Sequence, residues 1–175
     1  VEDNAKTPQA IKDDIRGALL QEGFELVGFA RPEDMLPASA HLKPFLRAGY
    51  HGDMGWLAHN HEKRMDPKRL WPDVKSVIVV ALNYGPDHDP LPLLERKDRG
   101  VISVYAQGSD YHDVIKKKLK RVGRWMKDTF EAELKVFVDT APVMEKPLAA
   151  AAGIGWTGKH TNIVTSELGS VSYTH

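Results

Sequence analysis

The chain has 175 residues, enough for one domain with its own hydrophobic core. Its 24 lysines and arginines balance 24 aspartates and glutamates, so no overall charge attracts nucleic acid or an anionic membrane, and any basic patch must be local. The absence of cysteine excludes disulfides, thiolate zinc sites and iron–sulfur ligation by this chain. A polar start without a signal-peptide pattern, and no apolar run long enough to span a membrane, predict a cytoplasmic protein.

Hydrophobic periodicity predicts alternating helices and strands. The first helix covers about residues 8–22, because Thr7-Pro8 is a helix start and Gly23 a helix stop. Further helices are predicted at about 110–130 and 147–153, loops and short helices at 31–72, a loop at 85–92, and strands at 25–30, 76–82, 101–106, 134–139 and 161–166. The run SVIVVAL at 76–82 predicts a buried strand. The pattern indicates an α/β or α+β fold, a single domain over 1–175 with a central sheet flanked by helices.

The segment GIGWTGKH at 153–160 is close to a phosphate-binding P-loop, G-x-x-x-x-G-K-[ST], but ends in His160. A P-loop joins a strand to a following helix. Here a predicted helix precedes the segment and a predicted strand follows it. A nucleotide site is therefore disfavoured. The alternative is that Gly153 ends the helix while Gly155 and Gly158 shape a turn. That leaves Lys159 and His160 without an assigned role.

Three other segments carry candidate functional residues. In FVDTAP, Asp139 follows a predicted strand. Two roles are predicted for a carboxylate in this position: a general acid, or a cap of the next turn. In YAQGSDYHDV, Ser109 or Asp110 caps the long helix, and His112 lies in its first turn, at a pocket rim or on the surface. In GYHGDMGWLAHNHEKRMDP, the spacing of the histidines matches no zinc site, so no metal site is predicted.

The long helix has two faces. Its apolar face is predicted to pack in the hydrophobic core and consists of Tyr111, Val114, Ile115, Leu119, Val122, Trp125, Met126 and Phe130. Its basic face consists of Lys116, Lys117, Lys120, Arg121, Arg124 and Lys127. Such a face is either solvated or contacts a phosphate backbone.

In this order, GYHGDMGWL, EKRMDP, YAQGSDYH and FVDTAPVMEKPLAAAAGIGWTGKHTNIV resemble the N-terminal half of epoxyqueuosine reductase, over nearly all of residues 8–170. The resemblance implies reduction of epoxyqueuosine in tRNA to the alkene, the last step of queuosine biosynthesis. It implies a cobalamin cofactor, two [4Fe–4S] clusters that supply electrons, and a cobalamin domain similar to those of reductive dehalogenases and nitroreductase-like proteins.

The resemblance also implies site residues. Asp139 matches the family's proposed proton donor, which must be protonated when the opening epoxide leaves an alkoxide. The residues that would border the corrin are Tyr105, Asp110, Tyr111, His112, Gly155, Trp156, Gly158, Lys159, His160 and Thr161. The glycines would let the backbone approach the cofactor, and Lys159 and His160 would hydrogen-bond corrin amides or the nucleotide-loop phosphate.

This chain departs from the family pattern in lacking the cysteines that hold the electron-supplying iron–sulfur clusters. Family members continue into a ferredoxin-like domain with Cys-x-x-Cys runs and often helical repeats, whereas this chain has no cysteine. We expect those domains to be missing here, and electrons to come from a cluster domain in cis or a reductase in trans. Apolar surface exposed by their absence favours a homo-oligomer. The alternatives are a non-catalytic corrinoid or flavin binding module and, less favoured, a P-loop-like nucleotide binder.

Overall fold

The computed structural model describes residues 6–86, 88–89 and 91–170. Its helices are α1 Pro8–Gln21, α2 Leu36–Arg47, α3 Gly55–Ala58, α4 His61–Met65, α5 Pro67–Leu70, α6 Tyr111–Phe130 and α7 Glu145–Ala151, with 3₁₀ turns at Pro32–Met35, Leu91–Glu95 and Val104–Ala106. Its strands are β1 Leu26–Ala30, β2 Val77–Ala81, β3 Trp156–Thr157, β4 Ile163–Thr165 and β5 Gly169–Ser170. The polar start, the last five residues and two positions of the predicted 85–92 loop lie outside the described residues.

The two helices with the clearest sequence signals are confirmed. The Thr7 hydroxyl accepts a hydrogen bond from the Ala10 amide at 3.2 Å, which caps α1, and Gly23 ends the helix with a φ of +90°. The Asp110 carboxylate caps α6 by accepting from the His112 amide at 2.9 Å. Six residues of the predicted apolar face of α6 pack in the core, and Val122 is buried; they are Ile115, Leu119, Val122, Trp125, Met126 and Phe130. Tyr111 and Val114 lie outside this cluster, and Tyr111 instead binds Asp139.

Strands β1 and β2 pair antiparallel, from Leu26 opposite Ala81 to Ala30 opposite Val77. Helices α1 and α6 cover one face of the pair, and α7 packs on the other. The prediction that the 76–82 strand is fully buried is wrong, because every residue of β2 is only half-buried. Within the described residues β2 pairs only with β1, which leaves its second edge without a neighbouring strand.

The second sheet has the order β3-β4-β5, all antiparallel. Strand β4 confirms the predicted strand at 161–166, and its Ile163 is almost fully buried beside α7. Strands β3 and β5 have two residues each, too short for a hydrophobic pattern to show. The described part is therefore α+β, with two small antiparallel sheets in place of the single central sheet that was predicted. No described helix is long and apolar enough to cross a membrane.

The predicted strand at 101–106 is wrong. Residues 104–106 form a 3₁₀ turn, and Val101 and Ile102 expose 44% and 67% of their surface. The β-branched composition favours an extended backbone, but a strand also needs a neighbouring strand to pair with. Among the described residues this segment has none.

The predicted strand at 134–139 is also wrong, although residues 131–138 do alternate between exposed and half-buried side chains. No described backbone forms a ladder with them. Leu134 packs instead on α6, where its Cδ1 lies 2.8 Å from the position that a Cβ on Gly123 would take. The segment is extended, but helix packing replaces strand pairing.

We expect Gly28→Ala to destabilise the chain by about 1–3 kcal/mol, the usual range for overpacking. A Cβ at Gly28 in β1 would lie 2.4 Å from the carbonyl oxygen of Ala152, where α7 ends against the sheet. Gly17→Ala is the matched control: it lies in α1 with nothing within 4 Å of its Cβ position, so about 0.5–1 kcal/mol of stabilisation is expected. Urea unfolding of both variants measures the two changes, and equal free energies of unfolding would contradict this packing.

Candidate active site

Asp139 lies in the turn that follows the extended segment, with a φ of 53° in the left-handed region. Its Oδ2 accepts a hydrogen bond from the Tyr111 hydroxyl at 2.6 Å and lies 3.7 Å from His112 Nε2. Only 20% of its side chain is exposed. Among the described residues no backbone amide donates to its carboxylate, so the capping interpretation finds no support. The carboxylate is instead held by side chains from the start of α6.

The start of α6 presents a polar cluster. The His112 ring stacks on the Tyr111 ring at a centroid distance of 4.0 Å, and its Nδ1 lies 2.8 Å from Asp110 Oδ1. The hydrogen bond from His112 lowers the pKa of Asp110. Burial, followed by the hydrogen bond to Asp139, raises the pKa of Tyr111. Tyr111 therefore remains a protonated donor to Asp139 at any physiological pH.

Glu145 is a member of this cluster that the sequence analysis missed. It is the first residue of α7, and its Oε1 accepts a hydrogen bond from the Asp139 backbone amide at 3.1 Å. Burial and, next, the hydrogen bond to Asp139 raise the pKa of Glu145 to about 7. One signal was present in the sequence: Glu145 and Lys146 are the only charges in the apolar run from 141 to 152.

Lys146 joins this cluster to the glycine-rich segment. Its Nζ donates to Asn162 Oδ1 at 3.3 Å. Burial lowers the pKa of Lys146, and the charge of Asp139 partly opposes that effect. The start of α6, the Asp139 turn, the start of α7 and the turn before β4 therefore meet at one place.

The glycine-rich segment forms a tight turn between β3 and β4. The Gly158 amide donates to the Asn162 carbonyl at 2.8 Å, and the Asn162 amide donates to His160 Nδ1 at 3.3 Å. A Cβ on Gly155 would lie 2.1 Å from the Val164 carbonyl oxygen. This glycine is needed by the strand pairing itself. The segment follows α7 and leads into strands, which is the reverse of a P-loop.

The other predicted cofactor-binding residues lie at the surface. Tyr105 exposes 44% and Trp156 55% of its surface, and Tyr105 packs edge-on against Tyr84 at a centroid distance of 6.5 Å. Lys159 and Thr161 are exposed as well.

The three histidines of the segment at 49–67 are His51, His59 and His61. His61 Nδ1 lies 3.0 Å from the Ala58 carbonyl oxygen, which gives it a local partner at the start of α4. Nowhere in the described ranges do three or more metal-ligating side chains come together.

The basic face of α6 borders a groove of about 890 Å³. The opposite wall is the extended segment from Glu131 to Val136, and Trp71 closes one side with its ring 5.0 Å from Lys135 Nζ. Arg121 is neutralised by an ion pair with Glu22. Lys117, Lys120, Arg124 and Lys127 are exposed in the groove and have no acidic partner among the described residues.

Comparison with known proteins identifies the relatives of this chain. The family model QueG_DUF1730, described as "Epoxyqueuosine reductase QueG, DUF1730", matches residues 64–140. The epoxyqueuosine reductase of Leadbetterella byssophila is 39% identical over 158 residues, which cover 90% of this chain and 51% of the relative.

Solved structures agree with these matches. A structure of epoxyqueuosine reductase with an epoxyqueuosine-modified tRNA-Tyr stem loop matches 92% of this chain and 43% of its own, with 28% identity and a TM-score of 0.76. Another structure is that of the Bacillus subtilis enzyme with its catalytic aspartate loop swung out of the active site. It matches 93% of this chain and 43% of its own, with 28% identity and a TM-score of 0.76. The resemblance to epoxyqueuosine reductase is therefore confirmed, for a chain that spans about half the length of the relatives it matches.

Proposed function

We propose that this chain is the cobalamin-binding, catalytic part of an epoxyqueuosine reductase, which reduces the epoxide of epoxyqueuosine in tRNA to the alkene. The observation that carries the proposal is the Asp139 carboxyl group, placed between Tyr111, His112 and Glu145 at the meeting point of the motifs. Its fold would be a single domain of the reductive-dehalogenase and nitroreductase-like type, located in the cytoplasm.

The exposed residues of the two other matched motifs have the chemistry to bind a corrinoid. Trp156 and Tyr105 offer aromatic surface to a large ring, while Lys159, which has no partner among the described residues, is available to a phosphate or an amide carbonyl. The rest of the proposed binding set consists of Asp110, Tyr111, His112, Gly155, Gly158, His160 and Thr161. When bound, a low-valent corrin supplies the nucleophile and the electrons for breaking the epoxide C–O bond.

Asp139 has the proton-transfer role in this proposal. Opening of the epoxide leaves an alkoxide, which takes one proton to become a hydroxyl group and a second to depart as water; Asp139 is proposed to supply the first. Tyr111 and His112 orient the Asp139 carboxyl group from the start of α6. Only a fifth of that side chain is open to solvent, which limits competing proton exchange with water.

The family's iron–sulfur clusters do not fit this chain, because it has no cysteine to hold them. We therefore assign no electron-transfer step to its residues. In our proposal the electrons come from a cluster domain in cis or a reductase in trans.

The tRNA would lie along the basic face of α6. The relative in complex with a modified tRNA stem loop supports tRNA as the partner. Four exposed cations in the α6 groove lack acidic partners among the described residues, so they remain available to phosphates.

The direct test of this function is a chimaera in which the chain replaces the matching half of the Leadbetterella byssophila enzyme. Supplied with cobalamin, a reductant and epoxyqueuosine-containing tRNA, it should form queuosine. A chimaera that folds and binds tRNA but forms no queuosine would favour the alternative of a non-catalytic corrinoid or flavin binding module.

A further inference from the structure

Glu145, the first residue of α7, is hydrogen-bonded to the backbone of the Asp139 turn. Its Oε1 accepts from the Asp139 amide at 3.1 Å. We propose that Glu145 is a positioning residue that holds the Asp139 turn in place through the Asp139 backbone amide. This inference rests on the proposed role of Asp139 as proton donor.

The Asp139 turn needs such an anchor. The φ of Asp139, 53°, lies in the left-handed region, which disfavours side chains with a Cβ, although aspartate less than most. The preceding residues pair with no strand among the described residues. A backbone in this conformation persists only where surrounding contacts hold it.

Glu145 is well placed to supply that anchor, because α7 is fixed to the core. Leu148 and Ala149 of α7 expose 2% and 9% of their surface. The link from the Asp139 amide to Glu145 therefore ties a left-handed turn to a packed helix. In the Bacillus subtilis relative, the loop that carries the catalytic aspartate has been observed swung out of the active site, so such a loop has more than one position in that protein.

Three ionisable groups face the Glu145–Asp139 pair. Tyr111 and His112 face it from α6, and Lys146 follows Glu145 on α7. Tyr111 donates a hydrogen bond to Asp139 Oδ2 at 2.6 Å. Burial, followed by the hydrogen bond to Asp139, raises the pKa of Glu145 to about 7. Glu145 therefore gains or loses a proton near neutral pH, next to the Asp139 turn that it holds.

The test uses nuclear magnetic resonance of the 175-residue chain. In the native chain the Asp139 amide resonance should shift with pH around a midpoint near 7, following Glu145. Glu145→Gln should keep the turn, because an amide can accept from Asp139 N–H and donate to its carboxylate, but the titration should disappear. Glu145→Ala should accelerate hydrogen exchange of the Asp139 amide by at least about tenfold, while the amides of α1 and α6 remain protected.

Glu133→Gln and Glu133→Ala are the matched controls, since Glu133 is exposed on the extended segment before the turn. Neither should alter the Asp139 titration or its exchange. A titration that persists in Glu145→Gln, or an Asp139 amide whose exchange is unchanged in Glu145→Ala, would overturn the proposal. If Glu145→Ala fails to fold, the Gln variant alone decides. These readouts need neither corrin nor tRNA, so they stand or fall independently of the proposed reductase activity.

Discussion

Asp139→Asn is expected to slow epoxide reduction by about 10²- to 10⁴-fold, the usual contribution of a positioned general acid. The asparagine oxygen can still accept from the Tyr111 hydroxyl, so the geometry at the start of α6 should survive. The substitution removes the acidic proton that the departing oxygen needs. Single-turnover conversion of epoxyqueuosine-containing tRNA by the chimaera, with and without the substitution, measures the effect.

Two controls make this result interpretable. Asp113→Asn removes an exposed carboxylate from the first turn of the same helix and should leave the rate within about twofold, as expected for a surface substitution. Corrin binding by Asp139→Asn should match that of the unsubstituted protein. A rate for Asp139→Asn close to that of the Asp113→Asn control would place the proton donor elsewhere.

Reversing three charges on α6, Lys117→Glu, Lys120→Glu and Arg124→Glu, is expected to weaken tRNA binding by at least about tenfold at moderate salt. These side chains are exposed beside the α6 groove, and none has an acidic partner among the described residues. Every cation that binds a phosphate in the native chain should, when reversed, also lower the salt dependence of binding by about one counterion. Fluorescence anisotropy with a labelled anticodon stem loop at several salt concentrations measures both quantities.

The matched control for charge is the triple variant Lys43→Glu, Lys63→Glu and Lys75→Glu, which has the same change in net charge on exposed lysines elsewhere. It should retain most of the affinity. Equal reductions of affinity in the two triple variants would indicate a general effect of net charge. Unchanged binding in the α6 variant would return that helix face to an ordinary solvated surface.

The local parts of this structure were predictable from sequence. Thr7, Asp110 and Gly23 act on residues within a few positions of themselves, so the limits of α1 and the start of α6 follow from short segments. The predictions failed where a partner distant in sequence decides the outcome. The segments at 101–106 and 134–139 have the composition of strands, but no described strand lies beside them to complete a ladder.

In the candidate site, too, some residues were predictable from sequence motifs and others depended on contacts between distant segments. Asp139, Tyr111 and His112 were identified from their motifs, and the structure brings these three together. Glu145 was missed because its contact with Asp139 depends on a left-handed turn that hydrophobic periodicity does not report. For Gly155 and Gly158 the sequence offered a turn or the approach of a cofactor. The turn is confirmed, because a Cβ on Gly155 would lie 2.1 Å from the Val164 carbonyl oxygen and one on Gly158 2.6 Å from His160 Cε1.

The measurement that tests the central claim most directly is a spectroscopic titration of the purified chain with cob(II)alamin. A saturable shift to the base-off spectrum that ends near one equivalent is expected, because Trp156, Lys159 and the other residues of the proposed set are proposed to form a corrin site in this chain. A spectrum that stays base-on at every ratio of protein to cob(II)alamin would contradict the claim that this chain by itself forms the cobalamin site.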